Sequence, residues 1–210
     1  GGTKGIGFGI AEVLLKNDFN VAVSGRKKED VDKAVTELKS ISSDVLGVTS
    51  DVRNFNEEEN AIEEIVNHFG KLDAVIANAG LGIFGPVDHL SLEDWNAMIE
   101  TNLTGCFHTL KASVEALKKS EGYYITISSL AGTNFFENGS GYNASKFGVV
   151  GFTQAAMIDL RKYNIKVSTI MPGSVATHFN NNIPSQKDNW KIQPEDMGNL
   201  VLDVLNMNPR

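Results

Sequence analysis

The sequence predicts an α/β protein: one doubly wound parallel sheet with helices on both faces, in a single domain. Three observations predict it. Short apolar runs alternate with segments whose apolar residues recur at helical spacing along all 210 residues, and that alternation builds parallel sheets joined by crossover helices. The run at residues 72–77 is mostly apolar, as in a strand covered on both faces. A glycine-rich turn, with Gly1, Gly5 and Gly7, leads straight into a helical pattern.

Composition narrows the function classes. Hydrophobic residues make up 41% and charged residues 21%, the balance of a soluble globular protein with a sizeable core. No stretch approaches the roughly 18 uninterrupted apolar residues of a membrane span. The net charge of −7 argues against nucleic acid or an anionic membrane as partner. Cys106 is the one cysteine, so no internal disulfide is predicted, and it reads as a small buried side chain. His68, His89, His108 and His178 lack metal-ligand spacing, so no metal is expected. Asn102, Asn138 and Asn143 open glycosylation sequons; with no secretory signal in view these read as coincidence, and a cytoplasmic location is expected. No linker or internal repeat divides the chain.

The elements follow in order. The turn at residues 1–7 lets backbone curl tightly and approach a pyrophosphate. The helix after it, with Ile6, Ile10, Val13 and Leu14 inward, aims its N-terminus at that anion. Because such a turn follows a strand, the natural chain is expected to carry a further apolar strand before Gly1. Residues 21–24 form a strand, followed by Gly25, Arg26, Lys27 and Lys28. This strand end is where a dinucleotide's adenosine ribose is judged. No acidic side chain is present there, and Arg26 with Lys4 supplies two cations suited to a 2′-phosphate. The alternative is a solvated basic turn.

Val31, Ala34, Val35 and Leu38 mark the core stripe of the next helix. Residues 45–50 are a strand ending at Asp51 and Val52. Asn56 caps a helix with an acid-rich first turn, Ile62, Ile65, Val66 and Phe69 point inward, and Gly70 stops it. The strand at residues 72–77 ends in Asn78, Ala79 and Gly80. Ser91 caps a long helix in which Asn102 is a polar exception. Residues 123–128 are a buried strand. After it, Phe135 and Phe136 suit either an apolar substrate wall or core packing. Residues 142–163 form a long helix with Phe147, Val150, Gly151 and Ala155 among its apolar and small positions. Residues 165–171 are a strand, and the polar stretch at residues 178–191 reads as a lid-like loop. Pro194 starts the last helix, whose Met197, Leu200, Val201, Val204 and Leu205 face the core.

Tyr142 and Lys146 carry the chemistry. Four apart on a helix, they share a face. A phenol titrates near ~10 and is a poor base at neutral pH, but a neighbouring ammonium favours the phenolate. A phenol so tuned can give a proton to a carbonyl oxygen or take one from an alcohol. Ser129, thirteen positions before Tyr142, can hydrogen-bond the same oxygen.

These residues together resemble the short-chain dehydrogenase/reductase family, in its compact cytosolic branch. The resemblance runs along essentially the whole chain. The spacing of Gly1, Gly5 and Gly7 is similar to the family's cofactor loop, which also involves Thr3, Lys4 and Ile6, and Gly25 stands at its acidic position. The resemblance implies Asp51 and the Val52 backbone at the adenine edge, where Asp51 as a plain turn residue is the alternative. It implies Asn78, Ala79 and Gly80 against the second ribose, with Leu81 to Val87 lining the pocket mouth, and Pro172, Gly173, Val175 and Thr177 at the nicotinamide carboxamide. It also implies that the natural chain continues past its present C-terminal end. It implies Asn102 as a fourth catalytic residue, holding a water that links Lys146 to solvent, unless Asn102 is a tolerated polar residue. Paired long helices imply a homodimer or homotetramer. The implied activity is NADP(H)-dependent hydride transfer between nicotinamide and a carbonyl or secondary alcohol. The substrate stays open among 3-oxoacyl thioester, small ketone, sugar, steroid and small polar hydroxy acid. A non-catalytic NADP(H)-binding sensor, or an epimerase of the longer branch, is the competing reading.

Overall fold

Five parallel strands and seven α-helices make up the described part of the protein, residues 1–207 of a computed structural model. The expectations about the C-terminal end fall on residues 208–210 and beyond, outside the described residues. Strands β1 (Val21–Gly25) and β2 (Val45–Thr49) pair in parallel. Strands β3 (Ala74–Ala77), β4 (Tyr123–Ile127) and β5 (Lys166–Ile170) form a second parallel sheet in that order. The five strands predicted within the sequence are present, but they pair as two parallel sheets and not as the one sheet expected; helices flank them in a Rossmann-like α/β fold.

The chain divides into two compact units. The first comprises Gly1–Asp51, Asn60–Lys71 and the chain from Ser174 onward. In it, α1 (Gly5–Lys16) packs on α7 (Pro194–Asn206). Ile10, Val13 and Leu14 are buried, so the inward stripe of α1 is as expected, with Ile6 only half-buried. The two helices approach closely because glycines sit at the crossing: a Cβ on Gly198 would lie 2.5 Å from Val13 Cγ2 and 2.7 Å from the Gly9 carbonyl oxygen. That phase turns Met197 and Val201 inward but leaves Leu200 42% exposed, contrary to the expectation for Leu200. On α2 (Lys28–Leu38), Val31, Ala34 and Leu38 are buried. The backbone N–H groups of Ala176 and Ile192 bond to Ile192 and Ser174, which closes the base of the irregular loop. Within that loop Ser185 and Asp188 form a capping box, and Asp188 pairs with Lys191 at 2.6 Å.

The second unit comprises Val52–Glu59 and Leu72–Gly173. Here α3 (Phe55–Phe69) begins, capped by Asn54 and not by Asn56: Asn54 Oδ1 accepts from the Asn56 N–H at 3.1 Å, and its amide donates to Glu57 Oε1 at 2.8 Å. Ser91 caps α4 (Leu92–Met98), accepting from the Asp94 N–H at 3.0 Å. The long helix predicted from Ser91 is interrupted. Residues Ile99–Thr104 make a π-helical turn before α5 (Gly105–Ser120). Tyr124, Leu117 and Val149 centre the core of this unit, and the Tyr124 hydroxyl donates to the Cys106 carbonyl at 2.6 Å. Helix α6 (Ser140–Leu160) buries Val149, Thr153, Ala156 and Leu160; Phe147, Gly151 and Ala155 are exposed. A 2.9 Å bond between the hydroxyls of Thr126 and Thr153 fixes α6 on β4.

Overfilling the α1–α7 crossing is therefore costly. Gly198→Val is expected to destabilise by about 1–3 kcal/mol in urea unfolding, whereas Gly85→Ala, where nothing lies within 4 Å of the added carbon, changes stability by less than about 0.5 kcal/mol.

Candidate active site

The geometry of the second unit starts from β4 and α6. Strand β4 runs into Ser128 and Ser129, and Ser129 is the N-cap of a 3₁₀ turn, Leu130–Gly132, its hydroxyl accepting from the Ala131 N–H at 3.1 Å. Helix α6 carries Tyr142 and Lys146 on its buried side, 8% and 5% exposed. The Ser129 hydroxyl lies close enough to the Tyr142 phenol to pull its pKa down. The sequence-predicted pair and its serine thus meet in one place.

Burial controls the protonation of this cluster. It pushes the Tyr142 phenol above its ordinary value, with the Ser129 hydroxyl pulling the other way. It pulls the Lys146 amine down to about 8. Lys146 Nζ donates to the Ile127 carbonyl at 2.9 Å and sits 5.8 Å from the centre of the Tyr142 ring. The expected depression of the Tyr142 pKa by Lys146 is not seen here: the cation itself is destabilised, its proton is aimed at a backbone carbonyl, and desolvation of the phenol wins.

Asn102 lies in the π turn and is 1% exposed. Its side chain brackets Leu81, accepting from the Leu81 N–H at 2.8 Å and donating to the Leu81 carbonyl at 2.9 Å. The same amide donates to Ser145 Oγ at 2.9 Å, and Ser145 donates to the Tyr142 carbonyl at 2.8 Å. Asn102 joins the segment after β3, the π turn and α6. Its backbone carbonyl accepts from the Cys106 thiol at 3.1 Å, and burial pushes that thiol up to about 11. Gly80 packs against this amide: a Cβ there would lie 3.3 Å from Asn102 Oδ1 and 3.6 Å from Lys146 Nζ. Asn78 and Ala79 precede it at the end of β3. Pro172 accepts from the Leu130 N–H at 3.0 Å, and Gly173 faces the Leu130 side chain. Val52 is held by α5, its carbonyl 2.9 Å from His108 Nδ1 and its side chain against Gly105.

The remaining predicted residues lie in the first unit. Gly2 bonds to the Ser24 carbonyl at 2.9 Å, which seats the glycine turn on the end of β1. Gly5 has φ +59°, a left-handed backbone, and its missing side chain makes room for Thr177, whose methyl would lie 3.3 Å from an added Cβ. Thr3 lies against Gly25, where an added Cβ would come within 2.7 Å of Thr3 Cγ2; an acidic side chain could not be accommodated there without moving the turn. Lys4 and Arg26 are exposed, and Lys28 is paired with Asp32 at 2.8 Å. Ile6 and Gly7 form the first turn of α1, Asp51 follows β2, and Val175 bridges to Ile192.

Several residues that shape the site escaped the sequence reading. Ser145 and Ser128 were not singled out; Ser128 Oγ donates to the Lys146 carbonyl at 3.2 Å. Asn143 donates to the carbonyls of Ala131 and Asn134 at 2.7 and 2.8 Å, pinning the segment after Ser129. Phe84 packs edge-on against Tyr142, with ring centres 5.4 Å apart. Phe136 packs on Phe84 at 5.7 Å and is 46% exposed, and Phe135 is 88% exposed, so the core alternative for these two does not hold. An amide in the first turn of a helix was the available signal for Asn143; Phe84 lies within residues 81–87, the stretch expected to line the pocket mouth.

The family described as short chain dehydrogenase matches residues 1–188. The chain is 38% identical over 184 residues to trans-4-hydroxycyclohexanecarboxylate dehydrogenase of Sinomonas cyclohexanicum, covering 84% of this chain and 71% of that protein. It is 32% identical over 179 residues to a 3-oxoacyl-(acyl-carrier-protein) reductase of Staphylococcus aureus, covering 84% and 73%. The structure of an alcohol dehydrogenase from the archaeon Thermococcus sibiricus, complexed with 5-hydroxy-NADP, superposes with a TM-score of 0.93 at 28% identity, covering all of this chain and 89% of that one. The chain belongs to the short-chain dehydrogenase family and is an oxidoreductase acting on CH–OH and C=O groups.

Proposed function

We propose that this protein is an NADPH-dependent reductase of a ketone, with Tyr142 as proton donor. The observation that carries the reading is the grouping of buried Tyr142, Lys146 and Asn102 with half-buried Ser129, all in one unit. NADPH held here would supply the hydride for the carbonyl carbon and be oxidised to NADP⁺ in doing so. The phenol of Tyr142 gives its proton to the carbonyl oxygen, so hydride and proton together yield the secondary alcohol. Ser129 hydrogen-bonds that oxygen while charge gathers on it. A phenol held protonated by burial is in the right state to act as the acid at neutral pH. Lys146, Asn78, Ala79 and Gly80 would hold the nicotinamide ribose. Pro172, Gly173, Val175 and Thr177 would hold the carboxamide, and Asp51 and Val52 the adenine. The small residues fit such a group: Gly80 brings the strand end close to Lys146, and Gly5 takes the left-handed backbone that curls the turn proposed for the pyrophosphate.

The preference for NADPH over NADH rests on Arg26 and Lys4, both exposed, and on the tight space at Gly25. The alcohol dehydrogenase of T. sibiricus carries a modified NADP, which supports the same choice. A homo-oligomer in the cytoplasm is part of this reading.

Tyr142→Phe is expected to leave NADPH binding, followed by fluorescence titration, within about threefold and to lower kcat by at least about a hundredfold; retained turnover removes the acid role. Arg26→Asp is expected to shift the ratio of kcat/KM for NADPH over NADH toward NADH by about tenfold or more, near 1.4 kcal/mol, and an unchanged ratio counts against the 2′-phosphate site. Lys146 is expected to titrate near pH 8 in the folded protein, followed by carbon NMR of its ε-methylene. Its folded pKa lies below its ordinary 10.5, so the unfolded chain holds the extra proton between those values and stability rises with pH across that window. A midpoint above 10 contradicts the buried amine.

A further inference from the structure

We infer that Phe84 and Phe136 form a fixed aromatic wall that selects the substrate, and that the substrate is an uncharged ketone, or its alcohol, on an apolar ring. This assignment rests on the reductase reading above and names its substrate class. The wall begins at the reacting group: Phe84 stands edge-on to Tyr142 at 5.4 Å, and Phe136 continues from Phe84 at 5.7 Å. Both rings face water, 39% and 46% exposed, and Leu130, next to Ser129, is 50% exposed. Contiguous apolar surface of this kind beside a polar reacting group is the usual lining of a small-molecule site.

The wall is preorganised. On either side of Phe84, the Ile83 N–H bonds to Met98 Sδ at 3.4 Å and the Gly85 N–H to the Asn138 carbonyl at 2.9 Å. The Phe136 N–H bonds to Asn143 Oδ1 at 3.4 Å, and its ring rests on Gly139, where an added Cβ would approach to 2.6 Å. Rings held this way lose little freedom when a ligand covers them, so the contact favours binding. A flat or chair-shaped ring covers Phe84 better than a short open chain does.

Charge points in the same direction. Residues 72–110 and 120–145, which supply this wall and its surroundings, contain no lysine or arginine. Asp88 and Glu137 lie in the segments that carry Phe84 and Phe136. Lys146, near the Tyr142 ring, is 5% exposed and gives its hydrogen bond to the Ile127 carbonyl, so it is not turned toward the wall, and a carboxylate there gains no direct ion pair from it.

The test uses cyclohexanone, butanone and acetoacetate with saturating NADPH. The wild type is expected to show kcat/KM at least about tenfold higher for cyclohexanone than for acetoacetate, with butanone between. Phe84→Ala is expected to lower kcat/KM for cyclohexanone about tenfold and for butanone less than about threefold, with NADPH affinity unchanged as the check on folding. Phe136→Leu, which keeps apolar bulk, is expected to give a smaller loss in the same order. Acetoacetate reduced as well as cyclohexanone, or an unchanged ratio of the two neutral ketones in Phe84→Ala, overturns the assignment while leaving the reductase standing. Failure to reduce any carbonyl compound overturns both.

Discussion

The side-chain amide of Asn102 is the constraint on which the candidate site depends. It makes three hydrogen bonds from a position 1% exposed: two to the backbone of Leu81 and one to Ser145. A buried amide left half-paired costs roughly 1–3 kcal/mol for each orphaned group, so the three partners are held to it. Through them the segment after β3, the π turn and helix α6 take fixed positions. Ser145 passes the restraint to the Tyr142 carbonyl. The π turn exists where Asn102 needs it; a continuous α-helix would set the amide at a different angle, and single-turn π segments are often found at functional positions.

Within that frame the titratable groups are set by desolvation more than by each other. The Lys146 amine is driven toward neutrality and tied to the Ile127 carbonyl, and the Tyr142 phenol is driven toward its protonated form. The two shifts have one cause, removal from water, and both favour the neutral state. A cluster of this kind changes its proton inventory readily when an anionic group arrives beside it. Phe84 contributes to the same desolvation by covering one edge of the phenol.

Much of this was legible in the chain. All five strands and the inward residues of α1 and α2 followed from apolar periodicity, because strands covered on both faces and amphipathic helices leave that pattern directly. Tyr142, Lys146 and Ser129 were legible because their chemistry needs those side chains at those spacings. What was not legible depends on tertiary contact. Asn102 was reached through the family resemblance as a water-holding catalytic residue, but its bonds to Leu81 and Ser145 were not foreseen, and the π turn it occupies has no propensity signature. Asn54, not Asn56, caps α3, since either asparagine could and only the path of the chain decides. Leu200 read as core, and the close approach at Gly198 turned it outward. The sign of the Tyr142 shift was missed because a sequence shows which groups are near and not how deeply they are buried.

The central claim is that one amide orders the reacting groups. The direct measurement is the single-turnover rate of hydride transfer from prebound NADPH in Asn102→Asp, which keeps the size and the acceptor but loses the donor to Leu81 and Ser145. The account predicts a fall of about a hundredfold with dinucleotide affinity retained. A rate within twofold of the wild type would show that Tyr142, Ser129 and Lys146 are aligned without Asn102 and would contradict it.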